Sequence, residues 1–216
     1  MSDEVTVKID RFFSRYQLRH YAKGQILLVG GEDTEKVFNL VKGRVKQYDV
    51  SYRGDEVILN VFKPPAFFPM SIAINHTPNP YVYEADTDVD IRQAPSVEVI
   101  DFMKANPDVM FDLLGRVYRG MDGLLGRMSL LMSSSAKSRL MYELILEARR
   151  FGISQTDGGF MLNINEIDLG ARAGLSRETV NREMHKLKQD GLIEVRAKSI
   201  VIKDVGLLEQ KLGMES

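Results

Sequence analysis

The sequence predicts an α+β chain in three parts, and three observations carry that prediction. Short β-branched and aromatic runs broken by glycine and proline occupy the chain up to about Ala94. An uninterrupted apolar repeat then runs from Met110 to Leu131, and two short capped helices followed by a hairpin pattern close the chain. The boundaries predicted from these changes of period are 1–105, 106–134 and 135–216.

In the first part, "QILLVG", "EKVFNLVKG", "RVKQYDV", "EVILNVF", "YVYEA" and "DVDIRQA" read as strands. Gly24, Gly30, Gly31, Gly43 and Gly54, then Pro64, Pro65, Pro69, Pro78 and Pro80, supply the turns between them. Closely spaced short strands of this kind suggest a β-sandwich or barrel.

After Pro95 the period becomes helical. Ser96 is expected to cap a short helix ending at Met103, and Asn106-Pro107 is a cap and first-position pair for a longer one. Along that second helix Met110, Leu114, Val117, Met121, Leu124, Met128 and Leu131 are spaced 4, 3, 4, 3, 4, 3. This is an a/d seam three heptads long. Gly115, Gly120 and Gly123 each weaken the isolated helix by about 1 kcal/mol relative to Ala, while allowing a second helix to approach closely. Such a helix gains its stability from packing, either on its own β-domain or on a second copy, and a two-fold homodimer is the expected arrangement. The serines of "SSSAKS", Ser133 to Ser138, break the seam, serve as a hinge and cap a further helix from Ala136 to Phe151.

The third part continues with Asn165 capping a helix to Ala173, a tight turn at Gly174-Leu175, and Ser176 capping a helix to about Gln189. Val180, Met184 and Leu187 form the inward stripe of that last helix, leaving Arg177, Glu178, Asn181, Arg182, His185 and Lys188 outside. "LIEV" and "SIVI" around Ala197-Lys198 read as a hairpin. Helix, short turn, helix and hairpin is the order of a winged helix-turn-helix. The N-terminal residues of its second helix reach base edges in the major groove. There Arg can bond guanine O6 and N7, and Glu can accept from cytosine N4. Ser176, Thr179, Asn181 and Lys198 suit phosphates. The opposing reading is an exposed ion pair between Glu178 and Arg182, worth a few tenths of a kcal/mol.

Composition limits the alternatives. The chain has 216 residues, no Cys and a net charge of −1. Disulfides, thiolate zinc sites, cysteine-ligated iron–sulfur clusters and Cys nucleophiles are therefore excluded. From Ala136 onward the charge is +1 and before it −2, so overall charge does not mark a nucleic-acid binder and only local placement can. No signal peptide and no membrane span is evident, and cytoplasmic residence is the expectation.

At these residues the chain resembles the cyclic-AMP receptor / fumarate-nitrate regulator (Crp/Fnr) superfamily of bacterial transcription factors. "SRETVNR" followed by "DGLIEV" and "IVI" is similar to its DNA-binding domain. "VFNLVKGRVKQYDV" with "GDEVILNVF" is similar to its β-roll, a jelly roll of the cyclic-nucleotide-binding kind. "NPDVMFDLLGRVYRGMDGLLGRMSLL" is similar to its dimerisation helix. The resemblance implies that Arg177, Glu178 and Arg182 read bases in a half-site like TGTGA. It also implies a homodimer on a palindromic operator in double-stranded DNA, with RNA polymerase as a further partner.

The departures bear on the effector. Where nucleotide-binding members carry Gly-Glu and Arg-Ser or Arg-Thr, this chain has Pro69-Met70 and Pro80-Tyr81-Val82. No Arg or Lys occurs between Lys63 and Arg92, so a buried phosphodiester would lack a counter-charge. The family's adenine-contacting hydroxyl pair falls on Leu124-Leu125. Cyclic AMP is therefore not the expected effector. Phe62, Phe67, Phe68, Met70, Tyr81, Tyr83, Leu124 and Leu125 are left to hold an apolar ligand or to fill the space themselves. His76 is the lone residue there that could ligate haem, and His20 and His185 lack metal-ligand spacing, so no cofactor and no metal are expected. A cupin-like metal enzyme would need clustered His and carboxylates that three scattered His do not provide, and no enzyme activity is expected. A β-domain serving only protein interaction is the remaining alternative.

Overall fold

The computed structural model describes residues 3–32, 35–52, 54–156, 158–196 and 199–213. The chain divides into two compact units between Gly120 and Met121.

The first unit is a β-sandwich with a helical coat. It begins with helix α1 (Asp3–Phe13), then strands β1 (Leu18–Tyr21), β2 (Ile26–Leu28), β3 (Lys36–Lys42), β4 (Val45–Val50), β5 (Glu56–Phe62) and β6 (Ala66–Phe68). Helix α2 (Met70–Asn75), strands β7 (Val82–Ala85) and β8 (Val89–Pro95), and helix α3 (Ser96–Ala105) complete it, with the first half of helix α4 (Pro107–Ser133). One antiparallel sheet has the order β1-β8-β3-β6 and the other β2-β7-β4-β5. The strand period of two sorts side chains between two cores. Phe38, Leu40, Phe68, Val89 and Ile91 face the sandwich interior with Leu28, Val45, Tyr83 and Ala85. Their strand neighbours Val37, Phe67 and Ala94 face the other way, against Val5, Ile9, Phe12, Phe13, Val99, Met103 and Val109 of α1, α3 and α4.

The expected strands form at the expected places. The helix α1, the short strands β1 and β6 and the helix α2 were not foreseen. Ser96 is not a cap: Pro95 occupies the cap position, no side chain bonds there, and Ser96 is the first helical residue, its N–H donating to the Glu35 carbonyl at 2.7 Å. The helix continues to Ala105, where the Asn106 side chain donates to the Phe102 carbonyl at 2.8 Å.

The second unit holds the rest of α4, helix α5 (Ala136–Phe151), strands β9 (Ile153–Ser154) and β10 (Phe160–Leu162), and helices α6 (Glu166–Ala173) and α7 (Arg177–Gln189). Strands β11 (Ile193–Arg196) and β12 (Ser199–Ile202) and helix α8 (Val205–Leu212) follow, and the sheet order is β11-β12-β10-β9. Helix α8 was not foreseen. Ser135 caps α5 by accepting from the Ser138 N–H at 3.2 Å. One core joins α5, α6, α7 and the sheet through Leu140, Leu144, Leu162, Leu169, Val180, Met184, Leu187 and Ile202. Leu140, Leu144, Leu162, Leu169 and Leu187 are fully buried, each worth about 1.5–3 kcal/mol of apolar transfer. The end of α4 docks on α5 at Gly126, where a Cβ would strike the Tyr142 hydroxyl.

Candidate nucleic-acid interface

Helix α7 is fixed from behind and free in front. Its buried residues are Val180, Glu183, Met184 and Leu187. At 100° per residue these span one arc, and Arg177, Lys188, Asn181, His185, Glu178 and Arg182 span the other, about 140° wide. All six of the latter are exposed. Ser176 begins the helix by accepting from the Thr179 N–H at 3.3 Å, and its hydroxyl lies 3.0 Å from that of Thr179. The remaining N–H groups of a first helical turn have no partner within the helix and suit an anion.

Helix α6 sets the crossing. Asn165 caps it by accepting from the Asp168 N–H at 2.8 Å, and Gly174 ends it in the left-handed region at φ 62°. At Gly170 a Cβ would sit 2.7 Å from the Leu175 carbonyl oxygen and 3.3 Å from Val180 Cγ2. The two helices thus meet at a distance only glycine permits. A glycine within a helical pattern is a sign of such close approach, and Gly170 was the signal available in the sequence for a residue the reading passed over.

The charges on α7 divide into engaged and unengaged. Arg177 and Glu178 have no side-chain hydrogen bond or ion pair among the described residues. The intrahelical pair of Glu178 with Arg182 does not form. Instead Arg182 Nε lies 3.1 Å from Glu183 Oε1, and Lys186 Nζ lies 2.9 Å from the same carboxylate. The Lys186 hydrogen bond, then Arg182, holds the Glu183 carboxyl below the usual range against its burial. Glu183 was not singled out from the sequence, because a Glu in a charged run looks like any solvated carboxylate. In the hairpin, Arg196 Nε and Glu194 Oε1 are 2.9 Å apart and half exposed. Lys198, expected to contact phosphate, lies outside the described residues.

Two buried ion pairs join α5 to its neighbours. Arg172 of α6 meets Glu147 of α5 at 2.5 Å, with only 6% and 1% of the side chains exposed. Arg127 of α4 grips Glu143 of α5 with Nε at 2.5 Å and Nη2 at 2.8 Å.

The residues expected to line an effector pocket separate. Phe62, Phe68, Tyr81 and Tyr83 come together in the sandwich interior. Phe68 stacks on Tyr83 at 5.3 Å and on Phe62 at 4.7 Å, and burial pushes the Tyr83 hydroxyl well above its ordinary value. Met70 and Phe67 do not belong with them. Both lie in the helical core, Phe67 because it is one residue out of phase with Phe68 on β6. Leu124 and Leu125 are exposed on α4.

A capped helix pair crossing at a glycine, with a polar second helix and a following hairpin, defines a winged helix-turn-helix unit joined to a β-roll. Two family models match the chain accordingly: a cyclic nucleotide-binding domain over residues 18–106 and a Crp-like helix-turn-helix domain over residues 138–211. The cyclic AMP receptor protein of Thermus thermophilus is 23% identical over 203 residues, covering 94% of this chain and 91% of that one. The fumarate nitrate reduction regulatory protein of Klebsiella oxytoca is 25% identical, covering 88% and 76%. Among solved structures, a mutant of CooA from Carboxydothermus hydrogenoformans matches with a TM-score of 0.80 at 20% identity, covering 98% and 97%. The c-di-GMP responsive regulator CLP of Xanthomonas campestris matches with a TM-score of 0.79 at 17% identity, covering 92% and 99%. The chain belongs to the Crp/Fnr family of transcription regulators.

Proposed function

We propose that the chain acts as a homodimer that reads a palindromic operator with TGTGA-like half-sites through α7, with Arg177, Glu178 and Arg182 on the bases. The observation that carries this reading is the unengaged pair Arg177-Glu178 at the front of a capped helix whose other charges Glu183 and Lys186 are already bound to each other. Ser176, Thr179, Asn181 and Lys198 serve the phosphates. The seam supports the dimer: Met110, Leu114, Val117, Met121, Leu124, Met128 and Leu131 are 41–57% exposed, and a Cβ at Gly120 or Gly123 would meet open space. Seven apolar side chains exposed along one helix are a patch that a second copy would cover. With the base-reading helices presented in this way, RNA polymerase is a further partner at the promoter, and no enzymatic role is assigned.

Cyclic AMP does not fit the β-domain. Met70 is turned into the helical core, and the stretch from Pro64 to Ile91 has no cation for a phosphodiester. The stack of Phe38, Phe62, Phe68 and Tyr83 fills the interior instead, favouring a protein competent for DNA without a nucleotide. The test is a footprint and gel-shift series with palindromic and scrambled duplexes across a salt titration, with and without cyclic AMP. Expected are tighter retention of the palindrome at every salt concentration and no response to the nucleotide. Equal retention of both duplexes refutes the reading.

A further inference from the structure

Within the second unit, the end of α4, the start of α5 and the end of α6 enclose a recess of ≈ 10 Å³, lined among others by Arg127, Arg139, Tyr142, Glu143 and Arg172. That is room for one water-sized or halide-sized occupant. Two of its lining residues carry a buried donor with no hydrogen-bond partner among the described residues, Nε of Arg139 and Nε of Arg172. Arg172 is 94% buried by its 6% exposure, and its Nη1 is already committed to Glu147. Among the described residues Arg139 hydrogen-bonds the Gly174 carbonyl, through Nη1, at 3.5 Å. Arg127 and Glu143 are committed to each other.

The local charge is unbalanced. Arg127, Arg139 and Arg172 stand with Glu143 and Glu147, an excess of one positive charge among these described residues. A water in the recess could accept from the two Nε–H groups, but it would leave the positive charge there unbalanced. A monoatomic anion accepts from both donors and offsets the charge.

We propose that this recess is a halide site, occupied by chloride, that ties α5 to α6 behind the helix-turn-helix. It is independent of which bases α7 reads. The test is thermal melting of the full chain at constant ionic strength as sodium gluconate is replaced by sodium chloride or bromide, with bromide anomalous diffraction in parallel. Expected is a rise of roughly 3–6 °C per tenfold increase in halide once the site is filling, with a bromide peak between the Nε atoms of Arg139 and Arg172. The variant Arg139→Gln, checked for folding by circular dichroism, loses at least about tenfold in halide affinity. If that variant does not fold, the wild-type melting series and the bromide map decide alone. Equal melting in gluconate and chloride, a density peak without anomalous signal, or an undiminished halide response in Arg139→Gln overturns the site.

Discussion

The arginines proposed to read bases differ in what holds them before DNA arrives, and that difference can be measured. Arg177 has no side-chain partner among the described residues, whereas Arg182 shares the buried Glu183 carboxylate with Lys186. Arg177→Ala therefore leaves stability within about 0.5 kcal/mol of wild type. On the operator it removes a bidentate guanine contact worth about 1–3 kcal/mol. A homodimer on a palindrome carries two copies, so the loss is about 2–6 kcal/mol, or from roughly 30-fold to above 10⁴-fold in affinity. Arg182→Ala costs a similar amount on DNA. It also leaves Glu183 with one cation instead of two. Because the Arg182 head is solvent-exposed, that second cost is discounted to about 0.5–1 kcal/mol, or roughly 1–4 °C in Tm. The assay pairs calorimetric melting of each variant with competition binding against specific and scrambled duplexes. Unchanged discrimination in Arg177→Ala refutes the base-reading assignment. A fall in Tm for Arg177→Ala equal to that for Arg182→Ala refutes the division into engaged and free charges.

Three further outcomes follow from the packing. Leu124→Lys places a cation in each half of the exposed seam, and sedimentation equilibrium at micromolar concentration is expected to show monomers in place of dimers, with operator binding lost. Gly170→Ala forces a methyl to within 2.7 Å of the Leu175 carbonyl oxygen, which is expected to destabilise the second unit by about 1–3 kcal/mol in urea titration and to weaken DNA binding. The Glu183, Asp108 and Asp190 carboxyls are held below their usual values, chiefly by hydrogen bonds from Lys186, Lys8 and Lys137 respectively. A depressed carboxyl contributes stability that is complete above its unfolded pKa and lost as pH falls through the folded one. Tm is therefore flat near neutrality and drops below about pH 4, and Lys137→Met removes the share belonging to Asp190 and flattens the drop.

What could be read from the sequence was what repeats or caps. The seam of α4 lies on one helix, and the stripe Val180, Met184 and Leu187 and the caps Asn165 and Ser176 stand where their spacing and the helix starts put them, whereas the cap position expected at Ser96 falls to Pro95. The opposite holds where a residue's meaning depends on a distant partner. Helix α1 is amphipathic in isolation, but the strand pattern that follows it drew the reading toward a β-domain without a coat. Strand β6 has three residues between two proline-rich turns, too few to show a period, so Phe67 and Phe68 were assigned to one face when the pleat sends them to opposite cores.

The buried charges show why such partners stay hidden. Glu143 and Glu147 lie four apart on α5, and in sequence they resemble the polar face of an amphipathic helix. Only the approach of Arg127 from α4 and Arg172 from α6 turns them inward. Burying two ion pairs is often no more stabilising than burying apolar side chains of the same volume, so they add little net stability. Removing one member, by contrast, leaves a charge stranded among α4, α5 and α6. The apolar core that α5, α6 and α7 share sets how α6 lies on α5, because close-packed contacts fall off with distance far more steeply than the attraction between charges. The polar front of α7 is then presented by a helix whose back is fixed in that core.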